Sequence, residues 1–146
     1  MTAMNHCGDA VLVDTSVWLE FFKRKSSLDI APLELLIEER RVATCLPIRA
    51  EILSGEIPAK PREALSQSFE AMLSVDPDWK SFFIWQKVVH LALECRRRKI
   101  GLPGIVDRMI LVAAQESGAV LWTLDRKLKN LALSLSIPVS NPSLQS

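Results

Sequence analysis

Two aspartates follow strand-like parts of the sequence. Asp14 comes directly after the apolar, β-branched run Ala10–Val13, and Asp125 comes directly after the apolar run Ala119–Leu124. In an open parallel sheet, ligands bind beyond the carboxyl ends of the strands. Both carboxylates are therefore expected at the end of the sheet where binding sites form. The simpler alternative stays open, because an aspartate at either position also caps the helix that follows it.

Two further acids lie on predicted helices. Glu51 is in the second turn of a helix that begins at Pro47, at the border of its apolar face, where a carboxylate needs a partner. Asp107 lies near the start of a helix that begins at Pro103. A carboxylate there also stabilises the helix dipole, without any other function. Taken singly, this aspartate allows either interpretation.

Taken together, the four carboxylates indicate a site for a hard metal ion. Two carboxylates about 4 Å apart repel each other by roughly 4 kcal/mol at an effective dielectric constant of about 20. A cluster of them therefore takes up protons or binds a divalent cation. Oxygen ligands without His or Cys favour Mg²⁺ or Mn²⁺ over zinc. Such an ion activates water and holds a phosphodiester oxygen, so the pattern predicts hydrolysis of a phosphodiester.

Strand-like and helix-like segments alternate along the chain. Strands are predicted at Ala10–Val13, Arg41–Cys45, Ala119–Leu124 and Ile137–Val139. Helices are predicted for residues 17–25, 30–40, 47–55, 61–73, 79–99, 103–118 and 125–135. Strands that are never joined by tight hairpins favour a parallel sheet with right-handed crossovers. The expected fold class is therefore α/β, a three-layer α/β/α domain around a central parallel sheet.

The bulk properties fit one globular domain. The 146 residues are 49% hydrophobic and 24% charged, and the net charge of +1 provides no overall basic field. Three widely spaced cysteines and a beginning without an export signal indicate a reduced, cytoplasmic protein. No apolar run reaches the ~20 residues of a membrane span. The densest basic run, Arg96–Lys99, either contacts RNA phosphates or complements a helix C-terminus.

Four segments, in order, resemble the PIN-domain family. Val11–Trp18 looks like the apolar strand that opens these domains and ends in Asp-Thr/Ser-Ser. Leu46–Gly55 resembles the family helix that carries a Glu, and Leu102–Ile110 is similar to its Pro-x-x-x-Asp-x-x-Ile segment. Leu121–Asp125 resembles the strand that ends in Thr-x-Asp, and Ile137–Pro142 fits the last strand.

The resemblance implies an Mg²⁺- or Mn²⁺-dependent endoribonuclease, the VapC-type toxin of a toxin–antitoxin pair. Its expected partners are an RNA substrate, a cognate antitoxin and a second copy of the chain. Asp14 and Asp107 would be the main metal ligands, and Glu51 and Asp125 would complete the catalytic acidic cluster. The expected PIN domain covers residues 10–142, between an N-terminal extension (1–9) and a C-terminal tail (143–146).

The resemblance also concerns neighbouring side chains. Hydroxyl groups beside the acids would contact a metal-bound water or a phosphate; they belong to Thr15 or Ser16, and to Thr123. The chain departs from the family pattern after Asp125, where Lys127 and Leu128 replace a second acid and an aromatic residue. The early helices are expected to bind the antitoxin or a second copy through Trp18, Phe21, Phe22 and Leu33.

Two other functions stay open from the sequence. The first is a non-catalytic PIN-like module that binds RNA or protein. The second is a phosphotransfer domain of the receiver type, which also clusters acids at strand ends. A receiver would need a phosphoacceptor Asp after a middle strand, and the predicted strand Arg41–Cys45 offers none.

Overall fold

The computed structural model of the chain describes residues 9–23 and 29–140, with the side chain of residue 56 left out. Most of the predicted N-terminal extension, the end of the first predicted helix and the predicted tail lie outside the described residues.

Four short parallel strands form the central sheet. They are β1 (Val11–Val13), β2 (Val42–Thr44), β3 (Leu73–Ser74) and β4 (Val120–Trp122). Their order across the sheet is β3-β2-β1-β4, and every pairing is parallel. Val139, in the predicted last strand, adds a parallel bridge to Leu121 of β4.

Helices make the connections between these strands. From β1 to β2 the chain forms α1 (Thr15–Phe21) and α2 (Ala31–Glu38). From β2 to β3 it forms α3 (Leu46–Glu51), a π-helical segment (Ile52–Glu56) and α4 (Ala59–Phe69). From β3 to β4 it forms α5 (Phe82–Arg97) and α6 (Ile105–Ser117), and α7 (Arg126–Ser134) follows β4. The predicted α/β class, with helices around a parallel sheet, is confirmed.

The strand order creates a crevice beside β1. The chain builds β2 and β3 on one side of β1 and then returns to place β4 on the other side. Ligands in open α/β sheets bind at such a switch point, beyond the carboxyl ends of the strands. A receiver-type sheet has the order 2-1-3-4-5, in which the first strand lies between the second and the third. The order found here does not match it.

Two sequence predictions about helices are wrong. The helix predicted to reach Leu73 ends at Phe69, and Leu73–Ser74 forms the edge strand β3. This strand is exposed and only two residues long, so it has none of the apolar alternation that marks a strand. The apolar helical pattern of residues 79–99 predicts His90 in the core, but His90 is exposed on α5.

Trp18 belongs to the core rather than to a docking surface. Its side chain is 1% exposed and that of Leu33 is 0% exposed, so neither is available to a partner protein. The apolar face of α1 is covered from within the chain, because the ring of Phe69 in α4 meets the Trp18 ring edge-on, with centroids 6.4 Å apart. Phe21 and Phe22 are half-buried against the same core. The predicted docking face is therefore wrong for its two central residues.

None of the helices in the described ranges has both the length and the apolar character to cross a membrane.

Candidate active site

Asp14 lies in the crevice between the ends of β1 and β4. Its backbone N–H donates to the carbonyl of Trp122 at 2.9 Å, which joins the two strand ends. The side chain is only 5% exposed, so its charge needs compensation. Two hydroxyl groups supply it: Thr123 Oγ1 donates to Asp14 Oδ2 at 2.7 Å, and Ser16 Oγ donates to the same oxygen at 2.8 Å.

Of the two aspartates that follow strands, only Asp125 caps a helix with its side chain. Asp14 stands at the N-cap position of α1, but its side chain makes no capping hydrogen bond. Asp125 does cap α7, because its Oδ1 accepts from the backbone N–H groups of Lys127 at 2.9 Å and Leu128 at 3.2 Å. The simpler explanation therefore accounts for Asp125 in part and does not account for Asp14.

Glu51 reaches the same end of the sheet from α3. Its half-buried side chain accepts a hydrogen bond from Thr15 Oγ1, at 2.7 Å from Oε1. Thr15 is the residue after Asp14, so this bond brings the α3 carboxylate beside the end of β1. Glu51 thus has the partner that its place on the helix required.

The hydroxyl groups form a network that fixes the end of β4 against the start of α1. Ser16 Oγ accepts from the backbone N–H of Leu124 at 2.9 Å, and Thr123 Oγ1 accepts from that of Asp125 at 3.1 Å. The two hydroxyl oxygens are 3.3 Å apart. These hydrogen bonds orient the acidic groups of the site.

Asp107 is the most perturbed of the four acids. The pKa of its carboxyl group is raised to about 6. Burial is the largest cause, and the negative charges of Asp14, Glu51 and Asp125 contribute to the same shift. The carboxylate lies in the first turn of α6 and is half-buried. Because all three other carboxylates act on it, the structure brings the four predicted site acids to one place.

A buried thiol lies close to this cluster. Cys45, between β2 and α3, is fully buried, and burial raises its pKa to about 12, assisted by the charges of Asp76, Asp14 and Glu51. At neutral pH the thiol therefore stays protonated and unreactive.

An open cavity of about 230 Å³ adjoins the cluster. Asp107 and Asp125 line one part of it, and Lys127 and the loop Gly101–Gly104 line another. Two of the four acids therefore face a space that a ligand can enter.

Basic residues that neighbour the acids in sequence are engaged elsewhere. Arg49 pairs with Glu70 at 2.6 Å, and Arg108 Nη1 donates to the carbonyl of Val88 in α5 at 3.1 Å. In the basic run that ends α5, Arg97 and Arg98 both pair with Glu94. This pairing favours the interpretation of the run as a helix C-terminus complemented by cations.

The donor set fits a hard divalent cation. Among residues 9–23 and 29–140, no group of three or more His, Cys, Asp or Glu side chains is placed to hold a metal ion. Mg²⁺ usually binds through only one or two carboxylates and keeps several of its waters. The converging carboxylates, with oxygen donors and a raised pKa at Asp107, match that mode of binding and do not match a closed zinc site.

Comparison with known proteins identifies the family. The family model described as PIN domain matches residues 11–133. The chain belongs to the PIN domain family. The matched residues include the four acids and their hydroxyl partners Thr15, Ser16 and Thr123.

Two curated proteins are similar in sequence to this PIN domain. It is 33% identical over 70 residues to the VapC ribonuclease Mb1587 of Mycobacterium bovis and to the ribonuclease VapC11 of Mycobacterium tuberculosis. These alignments cover 47% of this chain and 52% of each relative, so the chain spans about half the length of the curated relatives it matches. 

Solved structures share the fold at lower identity. The crystal structure of FitAcB from Neisseria gonorrhoeae aligns with a TM-score of 0.63 at 19% identity, covering 90% of this chain and 97% of the other. The structure of FitAB bound to an IR36 DNA fragment aligns with a TM-score of 0.64 at 19% identity, with 90% and 94% coverage.

Proposed function

We propose that this PIN domain is a divalent-metal-dependent endoribonuclease, the toxin of a VapBC-like pair. In this proposal an antitoxin protein holds it inactive, and the chain acts as a homodimer. One observation carries the enzymatic part: the pKa of Asp107 is raised to about 6 by burial and by three further carboxylates at the switch point of a PIN fold. A binding module has no need for such an arrangement, since mutually repelling acids cost stability.

The similar proteins support the same assignment. Two relatives that match at 33% identity are named ribonucleases. The aligned part is about half of each, so the activity, the RNA substrate and the antitoxin are proposed for this chain from that similarity and from the chemistry of the site.

Each acid has a proposed role that its surroundings support. Asp14 and Asp107 are the proposed main ligands of Mg²⁺ or Mn²⁺, and Glu51 and Asp125 complete the acidic set. A divalent cation, when bound, makes water more acidic and offsets charge on the phosphodiester. The hydroxyl groups of Thr123 and Ser16 hold the Asp14 carboxylate in place.

The hydroxyl group of Thr15 holds the Glu51 carboxylate in place, because it donates a 2.7 Å hydrogen bond to Oε1. Asp125 is held by the α7 backbone through Oδ1. Fixed carboxylates of this kind do not need to reorganise when the reaction begins, which lowers the barrier.

The test is cleavage of single-stranded RNA by the wild-type chain and by Asp14→Asn, with Mn²⁺ and with EDTA. Glu38→Gln is a matched control, because it removes one negative charge from an exposed position on α2, away from the site. We expect cleavage by the wild type and Glu38→Gln with Mn²⁺. We expect a loss of at least about 100-fold in Asp14→Asn and in EDTA.

Equal cleavage by all samples would assign the activity to a contaminant and refute the proposal. RNA binding without cleavage by the wild type in Mn²⁺ would favour the non-catalytic PIN-like module.

A further inference from the structure

The cavity beside the acidic cluster continues into a second one. The second cavity has a volume of about 420 Å³ and shares Gly101, Lys127 and Leu131 with the first. Its other walls are formed by residues from the end of α5 and from α7: Arg98, Ile100, Asn130 and Ser134. The two cavities therefore form a groove that extends from Asp107 and Asp125, past Lys127, to Asn130 and Ser134 of α7.

Lys127 lies where the two cavities meet. Its side chain is exposed, and it forms no ion pair with any carboxylate in the described part of the chain. Its backbone is fixed, because its N–H donates to Asp125 Oδ1 at 2.9 Å. By contrast, Arg98 at the far end of the groove already pairs with Glu94 at 3.2 Å. Lys127 thus offers a positive charge that belongs to no ion pair, in the same cavity as two site acids.

The positive charge of Lys127 would attract an RNA phosphate to the site. An RNA strand that enters the site brings phosphates toward four carboxylates, and like charges at this range repel by several kcal/mol. The net charge of +1 supplies no general attraction, so a phosphate beside the reacting one needs a local cation.

The groove has two connected parts. The first cavity has a volume of about 230 Å³ and the second about 420 Å³. The first fits one part of a longer ligand, and the second cavity offers space for the next part. Ile100 there provides apolar contact area, and Asn130 and Ser134 provide hydrogen-bonding groups.

We propose that Lys127 binds the RNA phosphate next to the scissile one, and that the strand then follows the second cavity along α7. This inference rests on the proposed ribonuclease function, and it adds the direction of the substrate and a residue that binds it. Lys127 has no part in the reaction itself, so it should affect substrate binding more than turnover.

Binding of a labelled single-stranded RNA oligonucleotide of mixed sequence tests the groove. The full chain carrying Asp14→Asn prevents cleavage, and Lys127→Ala, Lys127→Glu and Lys127→Arg are compared in that background. Lys129→Ala and Lys129→Glu are the matched controls, because Lys129 lies two residues further on the same helix and lines neither cavity.

We expect Lys127→Ala to raise Kd by about tenfold, the loss of one charge-assisted contact, and Lys127→Glu to raise it further. The slope of log Kd against log salt should fall by about 0.7, the value for one phosphate contact on a single strand. Lys127→Arg should restore both quantities. In chains that retain Asp14, the alanine variant should raise KM and leave kcat nearly unchanged.

The outcomes separate this inference from the proposed function. If the wild type cleaves RNA and the Lys127 variants match the Lys129 variants, the groove is refuted and the ribonuclease stands. If the wild type does not cleave but the Lys127 variants weaken RNA binding with the expected salt slope, the ribonuclease is refuted and Lys127 remains an RNA-binding residue. Absence of RNA binding by the Asp14→Asn protein refutes the groove.

Discussion

Replacing Asp107 with Asn should make the metal-free protein more stable at neutral pH. The pKa of this carboxyl group is 3.8 in the absence of the fold and about 6 in it. A raised pKa means that the folded state prefers the protonated group. Its favourable contribution is therefore fully present below about pH 3.8 and is lost as the pH rises through about 6. At neutral pH, the folded chain carries a charge that it would be more stable without.

The magnitude follows from the size of the shift. A difference of about two pKa units, at ~1.36 kcal/mol each, gives an upper limit of about 3 kcal/mol. Asp107 is half-exposed, so water screens part of this energy and about 1–2 kcal/mol is expected. For a domain of this size, 1 kcal/mol moves the melting temperature by about 2–4 °C. Asp107→Asn should therefore melt roughly 3–6 °C higher than the wild type.

Thermal unfolding followed by circular dichroism in EDTA measures this difference at about pH 7.5 and about pH 5. Glu38→Gln is the control, because it changes the net charge equally but removes an exposed carboxylate on α2. The gain from Asp107→Asn should shrink at the lower pH, where most Asp107 carboxyl groups are already protonated. A variant that is no more stable than the wild type at the higher pH, or whose gain does not depend on pH, would refute the electrostatic account of the cluster.

Three other predictions concern the same molecule. Adding Mg²⁺ at about 100 times its Kd should stabilise the wild type by about 2.7 kcal/mol and leave Asp107→Asn unchanged, measured as the shift in melting temperature. Thr123→Val removes a hydrogen bond to the buried Asp14 carboxylate and should cost about 1.5–3 kcal/mol in urea unfolding, whereas Thr123→Ser should retain most of that stability. Trp18→Ala should lower the free energy of unfolding by about 3–5 kcal/mol in the same assay, because the ring lies in the core. A loss near zero would mean that Trp18 is not a core residue.

The fold was accessible from the sequence where periodicity and breakers agree. Strand β1 and strand β4 are apolar runs that end in an aspartate, and the glycine after α6 stops that helix in a left-handed conformation, with φ 74° at Gly118. Strand β3 was not accessible, since two exposed residues carry no periodic signal. It forms by pairing with the edge of β2, and this pairing cannot be predicted from the sequence of two residues.

The grouping of the acids could be anticipated, but their surroundings could not. Strand ends and helix starts placed all four acids at one end of the sheet, and the structure brings them together; their catalytic role stays a prediction. Thr123 Oγ1 donates to an oxygen of a residue 109 positions earlier, which only the strand order can bring about. The apolar face of α1 was predicted correctly as apolar, but periodicity does not say whether α4 or a partner protein covers it.

Asp125 has two tasks, and this links the site to the backbone of α7. Asp125 lines the cavity, and its Oδ1 accepts hydrogen bonds from the amides of Lys127 and Leu128. Every opening of the first turn of α7 must therefore release this side chain. Slower deuterium uptake at these two amides would then report occupancy of the cavity directly, with no RNA present and no reaction taking place.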